Sequence, residues 1–195
     1  NGLSDKICLL HIMRALHREY PMPIIVDYEA GNVRSVQRAC ERVGMRAEIT
    51  SDPDVVANAD RLIFPGVGSA VSAVDTLRSR GLDEAIRTFY QTGRPLLGIC
   101  LGLQILLEHT EEGDRSCLGL LEGACERFEF NDNSFKVPHI GWNEVDFANV
   151  HPIANAVSSG DEFYFVHSYF AITRNEGDVI GWTTYGDRTF CSVIG

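Results

Sequence analysis

The sequence lacks the features that mark several broad classes of protein. Its six cysteines are scattered over 195 residues without a CxxC pair, which excludes a zinc ribbon or a disulfide framework and is typical of the reducing cytoplasm. No apolar run approaches the roughly 18 residues that a membrane span needs. Positive charge is scarce as well, with 17 Lys and Arg against 27 Asp and Glu and a formal net charge of −10. The composition therefore predicts a cytoplasmic protein and argues against nucleic acid or an anionic membrane as partners.

A single folded domain is what the length of the chain predicts. Residues 1–21 precede Met22 and the strand-like run "PIIVDY", and we interpret them as an N-terminal extension. The apolar segment "ICLLHIM" inside this extension is too short to cross a membrane and lacks the flanks of a signal peptide. We expect residues 22–195 to form the domain.

From Pro23 onward, short apolar runs alternate with segments of helical periodicity. The runs are "PIIVDY", "RAEIT", "RLIFP" and "PLLGI", and "GNVRSVQRACERVG" and "SAVSAVDTLRSRG" are two of the helical segments. This alternation predicts a parallel sheet covered by helices on both faces. After about Gly123, runs such as "ACERFEF" and "EFYFVHSYFAI" indicate added antiparallel strands. The predicted fold is α/β, a mostly parallel sheet flanked by helices with added antiparallel strands.

Cys100 lies between two glycines where an apolar strand becomes an apolar helix. Gly98 and Gly102 flank it in "GICLG", the spacing of a nucleophile elbow, in which a sharp turn raises the central side chain above the sheet edge. The start of the following helix favours a thiolate, and the amide of Leu101 becomes an oxyanion donor. The alternative is a buried structural thiol, because most free cysteines are small core residues. The strand before and the helix after favour the nucleophile.

A second glycine-rich loop, "FPGVGS", also joins a predicted strand to a predicted helix. Loops that follow parallel strands open at the same carboxyl edge of a sheet, where ligands bind. Backbone N–H groups that have no hydrogen-bond partner at such a turn can point towards an anion. The two loops together predict one site that combines a thiol with oxyanion donors.

Four segments, "GICLGLQILLE", "PGVGS", "KVPHIGWN" and "FYFVHSY", resemble the class I glutamine amidotransferase family. More narrowly, they are similar to the glutaminase subunits that serve imidazole glycerol phosphate synthesis in histidine biosynthesis. The start "IIVDYEAGNVRSV" is similar too, with Glu29-Ala30 in place of a more usual glycine-methionine pair. The resemblance covers about residues 22–195.

The resemblance implies a flavodoxin-like fold and hydrolysis of glutamine to glutamate and ammonia through a cysteine thioester, without a cofactor or a metal. It implies a one-to-one partner, a cyclase with a (β/α)₈ barrel that receives the ammonia and makes imidazole glycerol phosphate and aminoimidazole carboxamide ribotide. The roles it assigns are Cys100 as nucleophile; Gly66, Val67, Gly68 and Leu101 as oxyanion hole; Gln104, Glu112, Ser168 and Tyr169 as glutamine contacts; and Lys136, His139, Trp142 and Tyr164 as partner interface.

A cysteine nucleophile of this kind needs a histidine base and an acid that orients it. The family carries both in a His-x-Glu motif just after the strand that here reads "TFCSVIG", where the printed chain stops. We therefore expect residues 1–195 to be inactive or nearly so. Of the six histidines, we set aside His11 and His17, which lie in the extension. We interpret His109 as the end of the elbow helix and His151 as a false match to a catalytic motif. His167 is kept as the alternative base.

Two other functions stay open at this stage. The chain could be a catalytically silent partner that uses the same fold to bind another protein, or a different elbow-bearing cysteine hydrolase. The elbow, Gln104 and the glycine loop favour the glutaminase, because a scaffold needs none of them. The bulky rings of Trp142 and Tyr164 suit an interface, although the alternative is that they belong to the core of the antiparallel segment.

Overall fold

Two β-sheets organise the chain in the computed structural model, which describes residues 21–29, 32–131 and 135–195. The predicted N-terminal extension, apart from Pro21, lies outside the described residues, as do His11 and His17. The first sheet is parallel and carries the elbow. The second sheet is larger and almost entirely antiparallel. This arrangement confirms the predicted α/β fold with added antiparallel strands.

The parallel sheet has four strands in the order β2-β1-β3-β4. Their bounds are β1 Ile24–Val26, β2 Glu48–Thr50, β3 Leu62–Gly66 and β4 Leu96–Cys100. Every residue of β1 and β3 is buried, as expected for strands that are covered on both faces. β4 lies at one edge of this sheet, and its Leu97 and Ile99 are 37% and 38% exposed. The predicted coverage of both faces is therefore correct for the central strands and incomplete for β4.

Within the described part of the chain, five α-helices pack on this sheet: α1 Val33–Arg42, α2 Pro53–Ala57, α3 Ala70–Ser79, α4 Leu82–Gln91 and α5 Leu101–Leu106. Alternate strand residues face opposite layers. Ile24 and Leu62 pack in the layer that contains buried residues of α3 and α4, whereas Ile25 and Ile63 pack against α1. None of the helices in the described residues is long and apolar enough to cross a membrane.

The second sheet has the strand order β6-β5-β7-β10-β12-β11-β8-β9. Its strands are β5 His109–Thr110, β6 Arg115–Ser116, β7 Gly123–Arg127, β8 His139–Phe147, β9 Asp161–His167, β10 Tyr169–Thr173, β11 Val179–Tyr185 and β12 Arg188–Ile194. β5 and β7 run parallel, and the other pairs are antiparallel. The run "EFYFVHSYFAI" forms two strands rather than one. β9 pairs with β8 and ends before Ser168, and β10 pairs with β7 and begins after it.

The elbow helix is shorter than the sequence predicts. α5 ends at Leu106, and the chain then enters β5, so that His109 is a strand residue rather than the end of a helix. Leu107 is fully buried and packs with Cys125 and Cys191 of the antiparallel sheet. The elbow therefore lies at the junction of the two sheets, where residues from both can reach it.

Candidate active site

The elbow has the strained backbone that its glycines predict. Cys100 has φ 54° and ψ −117°, a conformation that L side chains rarely adopt. A side chain at Gly102 would collide with the carbonyl oxygen of Phe64, and a Cβ at Gly98 would lie 2.9 Å from the Cα of Leu103. The strand and the helix approach this closely only because both positions lack a side chain. The flanking glycines are therefore required by the turn itself.

Gly102→Ala is expected to destabilise the fold, because the new methyl group has no space beside Phe64. Overpacking of a core costs about 1–3 kcal/mol and occasionally more, so we expect a loss of about 3 kcal/mol. A loss of this size lowers the Tm of a domain of this length by about 6–12 °C. Gly177→Ala is the matched control, because its Cβ would meet only the Asn175 side chain, at 3.2 Å. Calorimetry of both variants checks this, and equal Tm values would contradict the steric role of Gly102.

The second glycine loop lies beside the elbow, which confirms that the two loops share one sheet edge. β3 and β4 pair in register, with Gly66 opposite Cys100. A Cβ at Gly66 would lie 2.9 Å from the amide nitrogen of Gly102 and 3.0 Å from the Cβ of Leu101. Gly68 has φ 94°. The backbone of this loop can therefore approach the start of α5 closely, as an oxyanion hole requires, although that role stays a prediction.

Burial changes the expected chemistry of the nucleophile. Cys100 is exposed as a residue, unlike the buried Cys40, Cys117, Cys125 and Cys191. Desolvation by the atoms around the sulfur nevertheless raises the pKa of the Cys100 thiol above its ordinary value, and the hydrogen bond from the Leu101 amide only partly opposes this. The amide at the helix start therefore favours the thiolate as expected, but burial has the larger effect on the pKa of Cys100. α5 has only 6 residues, so its dipole is short.

Two residues with predicted glutamine contacts are anchored around the elbow. The side chain of Gln104, on α5, donates through Nε2 to the carbonyl oxygen of Tyr169 at 2.9 Å. The carboxylate of Glu112 accepts from the amide of Ala70 at 3.0 Å, which places it at the start of α3, directly after the glycine loop. The carbonyl oxygen of Ser168 accepts from the amide of Phe128 at 3.0 Å. Segments distant in sequence therefore contact the elbow helix and the start of α3.

Tyr28, which the sequence does not single out, lies beside the same edge. Its side chain is 2% exposed, and its hydroxyl has no hydrogen-bond partner among the described residues. Burial raises the pKa of Tyr28, and the negative charge of an ionised Cys100 would raise it further. The next residue, Glu29, has φ 65°, which explains why glycine is the more usual residue there.

No described histidine serves Cys100 as a base. The ring of His109 contacts Asp114, with 2.9 Å between Nε2 and Oδ1, and His151 accepts from the amide of Ile153. The third and fourth, His139 and His167, contact each other with 3.0 Å between ring nitrogens. In residues 21–29, 32–131 and 135–195, the sulfur also lacks a carboxylate-oriented imidazole. No group of three or more His, Cys, Asp or Glu side chains there is arranged to hold a metal ion.

The prediction that His139 belongs to a partner interface is wrong. Its side chain is only 2% exposed, because it packs between the rings of Phe165 and Tyr185 inside the antiparallel sheet. Trp142 and Tyr164 are 67% and 56% exposed, so the alternative that they are core residues is wrong as well. Period-two alternation along β8 explains both results, since His139 and Trp142 point to opposite faces.

Comparisons with known proteins were consistent with this geometry. A model of the CobB/CobQ-like glutamine amidotransferase domain matches residues 23–126. The chain is 44% identical over 177 residues to the imidazole glycerol phosphate synthase subunit HisH of Thiobacillus denitrificans, with 87% of this chain and 77% of that protein covered. It is 47% identical over 174 residues to the HisH subunit of Rhodopirellula baltica, with 89% and 83% covered.

Solved structures share the fold at lower sequence identity. The crystal structure of a glutamine amidotransferase superposes with a TM-score of 0.63 at 20% identity, covering 85% of this chain and 86% of that one. The glutaminase domain of Trypanosoma brucei CTPS, solved with bound acivicin, gives a TM-score of 0.61 at 15% identity, covering 88% and 79%. These likenesses support the architecture of two sheets around the elbow.

Proposed function

The chain belongs to the glutamine amidotransferase family, and on that premise we propose that it is the glutaminase subunit of an imidazole glycerol phosphate synthase. In this role it hydrolyses glutamine to glutamate and ammonia. The ammonia passes to a cyclase subunit, which makes imidazole glycerol phosphate and aminoimidazole carboxamide ribotide. The observation that carries the proposal is the strained Cys100 elbow, in register with the glycine loop at Gly66.

The reaction follows from this geometry. The sulfur of Cys100 attacks the side-chain amide carbon of glutamine after its proton has passed to a base. The negative oxygen that forms is stabilised by the amide of Leu101 and by amides of the loop Gly66, Val67 and Gly68. The carbon–nitrogen bond then breaks, the nitrogen takes a proton and leaves as ammonia, and an acyl thioester remains on Cys100. Water hydrolyses the thioester and releases glutamate.

Substrate recognition is assigned to the residues that converge on the elbow. Gln104 contacts the glutamine substrate, the Glu112 carboxylate faces its amino group, and the backbone of Ser168 and Tyr169 contacts its amino acid end. The bonds of Glu112 to Ala70 and of Gln104 to Tyr169 support this assignment, because they fix one side chain beside the glycine loop and the other on the elbow helix. No cofactor takes part in this scheme.

The partner is assigned to an apolar stripe on the outer face of β8 and β9. Ile140 pairs with Val166 across the two strands, and Trp142 pairs with Tyr164. All four side chains are more than half exposed. Glu144 lies directly opposite Glu162 at the end of the stripe, and like charges in this position repel. A partner with an apolar patch beside a cation therefore fits this face, and we assign it to a (β/α)₈-barrel cyclase bound one to one, with the exposed Lys136 at the rim.

Trp142→Ser and Tyr164→Ser are expected to weaken binding of this cyclase by about 30-fold or more each, since exposed aromatic anchors often contribute about 2 kcal/mol or more. The measurement uses a longer chain, which is this sequence extended by the family's His-x-Glu segment. It is titrated with the cyclase while complex formation and ammonia release are followed together. Val150→Ser is the matched control, because Val150 is fully exposed in a loop outside the stripe. Unchanged binding in both aromatic variants, or full hydrolysis without the cyclase, would contradict the assignment and leave a generic glutaminase.

A catalytically silent partner is the second candidate. The raised pKa of the Cys100 thiol and the lack of a base among the described residues favour it. The titration separates the two functions. A complex that forms without any release of ammonia, using a chain that carries the family's His-x-Glu segment, would support the silent partner.

A further inference from the structure

His139, which is buried, and His167, which is partly buried, form a hydrogen-bonded pair that the proposed reaction does not use. His139 on β8 and His167 on β9 are cross-strand neighbours, and Nδ1 of His139 lies 3.0 Å from Nε2 of His167. Aromatic rings surround the pair, from Phe128 after β7, Phe165 on β9, Tyr185 on β11 and Phe190 on β12. A polar pair in such surroundings needs every nitrogen satisfied, because unpaired polar groups are costly there.

The contacts at both ends fix which nitrogen carries each proton. Nδ1 of His167 lies 2.9 Å from the carbonyl oxygen of Tyr169, which can only accept, so this nitrogen is protonated. In the neutral ring, Nε2 is then an acceptor, and Nδ1 of His139 must donate to it. Nε2 of His139 in turn accepts from the side-chain amide of Asn143 at 3.4 Å. Both rings are therefore neutral Nδ1–H tautomers, a form that is the minor one for free imidazole side chains.

The amide of Asn143 is itself oriented by two backbone groups. Its Nδ2 donates to the carbonyl oxygen of Thr184 at 2.9 Å, and its Oδ1 accepts from the amide of Glu144 at 3.0 Å. The nitrogen of Asn143 therefore faces His139, and the direction of donation runs from Asn143 through His139 and His167 to Tyr169. Burial lowers the pKa of His139 to about 4 and also lowers the pKa of His167. The pair thus stays neutral at neutral pH.

The far end of this chain of hydrogen bonds reaches the candidate active site. The same carbonyl oxygen of Tyr169 that accepts from His167 also accepts from Nε2 of Gln104 at 2.9 Å. Both lone pairs of this oxygen are therefore occupied, and its direction fixes the side chain of Gln104 on the elbow helix. A pair that served packing alone would need no acceptor in common with Gln104.

We propose that His139 and His167 form a neutral positioning pair, which holds the carbonyl of Tyr169, and through it the side chain of Gln104, in the orientation that binds glutamine. The inference rests on the proposed function for the identity of the ligand. The pair does not touch glutamine and takes no proton from Cys100, since each of its nitrogens is engaged within the hydrogen-bonded chain. Its effect is on the affinity for glutamine rather than on bond breaking.

The test compares two replacements of His167 in the longer chain with its cyclase bound. His167→Phe keeps a ring but removes both nitrogens, whereas His167→Asn keeps a donor where Nδ1 stands. We expect His167→Phe to raise KM for glutamine by about 10-fold, with kcat changed by less than about threefold, because a partly buried hydrogen bond to the carbonyl that also holds Gln104 is lost. His167→Asn should restore KM to within about threefold of the parent value. An unchanged KM in a folded His167→Phe variant overturns the inference.

A second measurement needs neither hydrolysis nor the folding of His167→Phe. Nitrogen-15 NMR of the parent protein should show Nδ1–H tautomers for both rings, and either ring as an Nε2–H tautomer overturns the inference. The side-chain amide signal of Gln104 should shift or broaden in His167→Phe, or in His139→Phe if the first variant does not fold. An unchanged Gln104 signal overturns the positioning role even if glutamine is hydrolysed. If the Gln104 signal shifts in the variant but the parent protein never hydrolyses glutamine, the positioning role is supported and the proposed function is refuted.

Discussion

Cys100→Ser is expected to abolish the release of ammonia, lowering glutamine hydrolysis by about 10⁴-fold or more, as loss of a nucleophile does in comparable enzymes. A serine hydroxyl fits the strained turn, so the backbone at φ 54° keeps its conformation. The hydroxyl is however far harder to ionise than a thiol and forms an oxygen ester instead of a thioester. The measurement is ammonia release by the longer chain in complex with the cyclase, together with Tm and complex formation, which should be unchanged.

The control for this variant is another cysteine that can tolerate the same change. Cys117 is buried, and its sulfur lies 3.7 Å from the carbonyl oxygen of Arg115, a contact that a hydroxyl can retain. Cys117→Ser should therefore keep hydrolysis near the parent rate. A glutamine-analogue electrophile should label the exposed Cys100 before the four cysteines that the structure shows as buried. Faster labelling of Cys40 or Cys125, or active Cys100→Ser enzyme, would refute the elbow assignment.

The elbow could be predicted from the sequence because its cause is local. A turn with no space for a side chain at Gly98 and Gly102 shows itself as two glycines around one cysteine. The glycine loop at Gly66 follows from the same reasoning, since adjacent parallel strands end at one edge. The buried strands around the elbow and the glycine loop could be predicted equally well, because runs such as "LIFP" are apolar throughout.

The histidine pair could not be predicted, because it depends on pairing between distant residues. His139 and His167 are 28 positions apart and meet only through the register of β8 with β9. A shift of β9 by one residue against β8 would place His167 on the face that now carries Trp142 and Tyr164, away from His139. The sequence shows two histidines near aromatic residues, a pattern that fits an interface and a core equally well.

The raised pKa of Cys100 could not be predicted from the sequence for a related reason. The start of a helix is a local feature, and it favours a thiolate. Desolvation depends on which segments converge on the sulfur, and in the described chain its effect on the pKa is the larger one. The end of α5 at Leu106 is also set by tertiary packing, because Leu107 leaves the helix to pack in the antiparallel sheet.

The other large effect concerns the base. Residues 1–195 are expected to hydrolyse glutamine about 10⁴ times more slowly than a chain extended by the His-x-Glu segment that the family resemblance implies, since loss of a triad member costs about this much. The described histidines all have ring nitrogens engaged away from Cys100. The strand that carries Cys100 is also an edge strand in the described sheet, with Leu97 and Ile99 exposed, so a further segment has room beside the nucleophile.

The pH dependence of hydrolysis distinguishes the two chains. Without a base, the reactive species is the free thiolate of Cys100. Because burial raises the pKa of this thiol above its ordinary value, the small residual rate should keep rising as the pH is raised through the alkaline range. With a base in place, the rate should level off near neutral pH. The matched control is the extended chain with alanine for the histidine of the His-x-Glu segment, which should behave like residues 1–195. Rapid hydrolysis by residues 1–195 that disappears in His167→Phe would instead make His167 the base and overturn its assignment as a positioning residue.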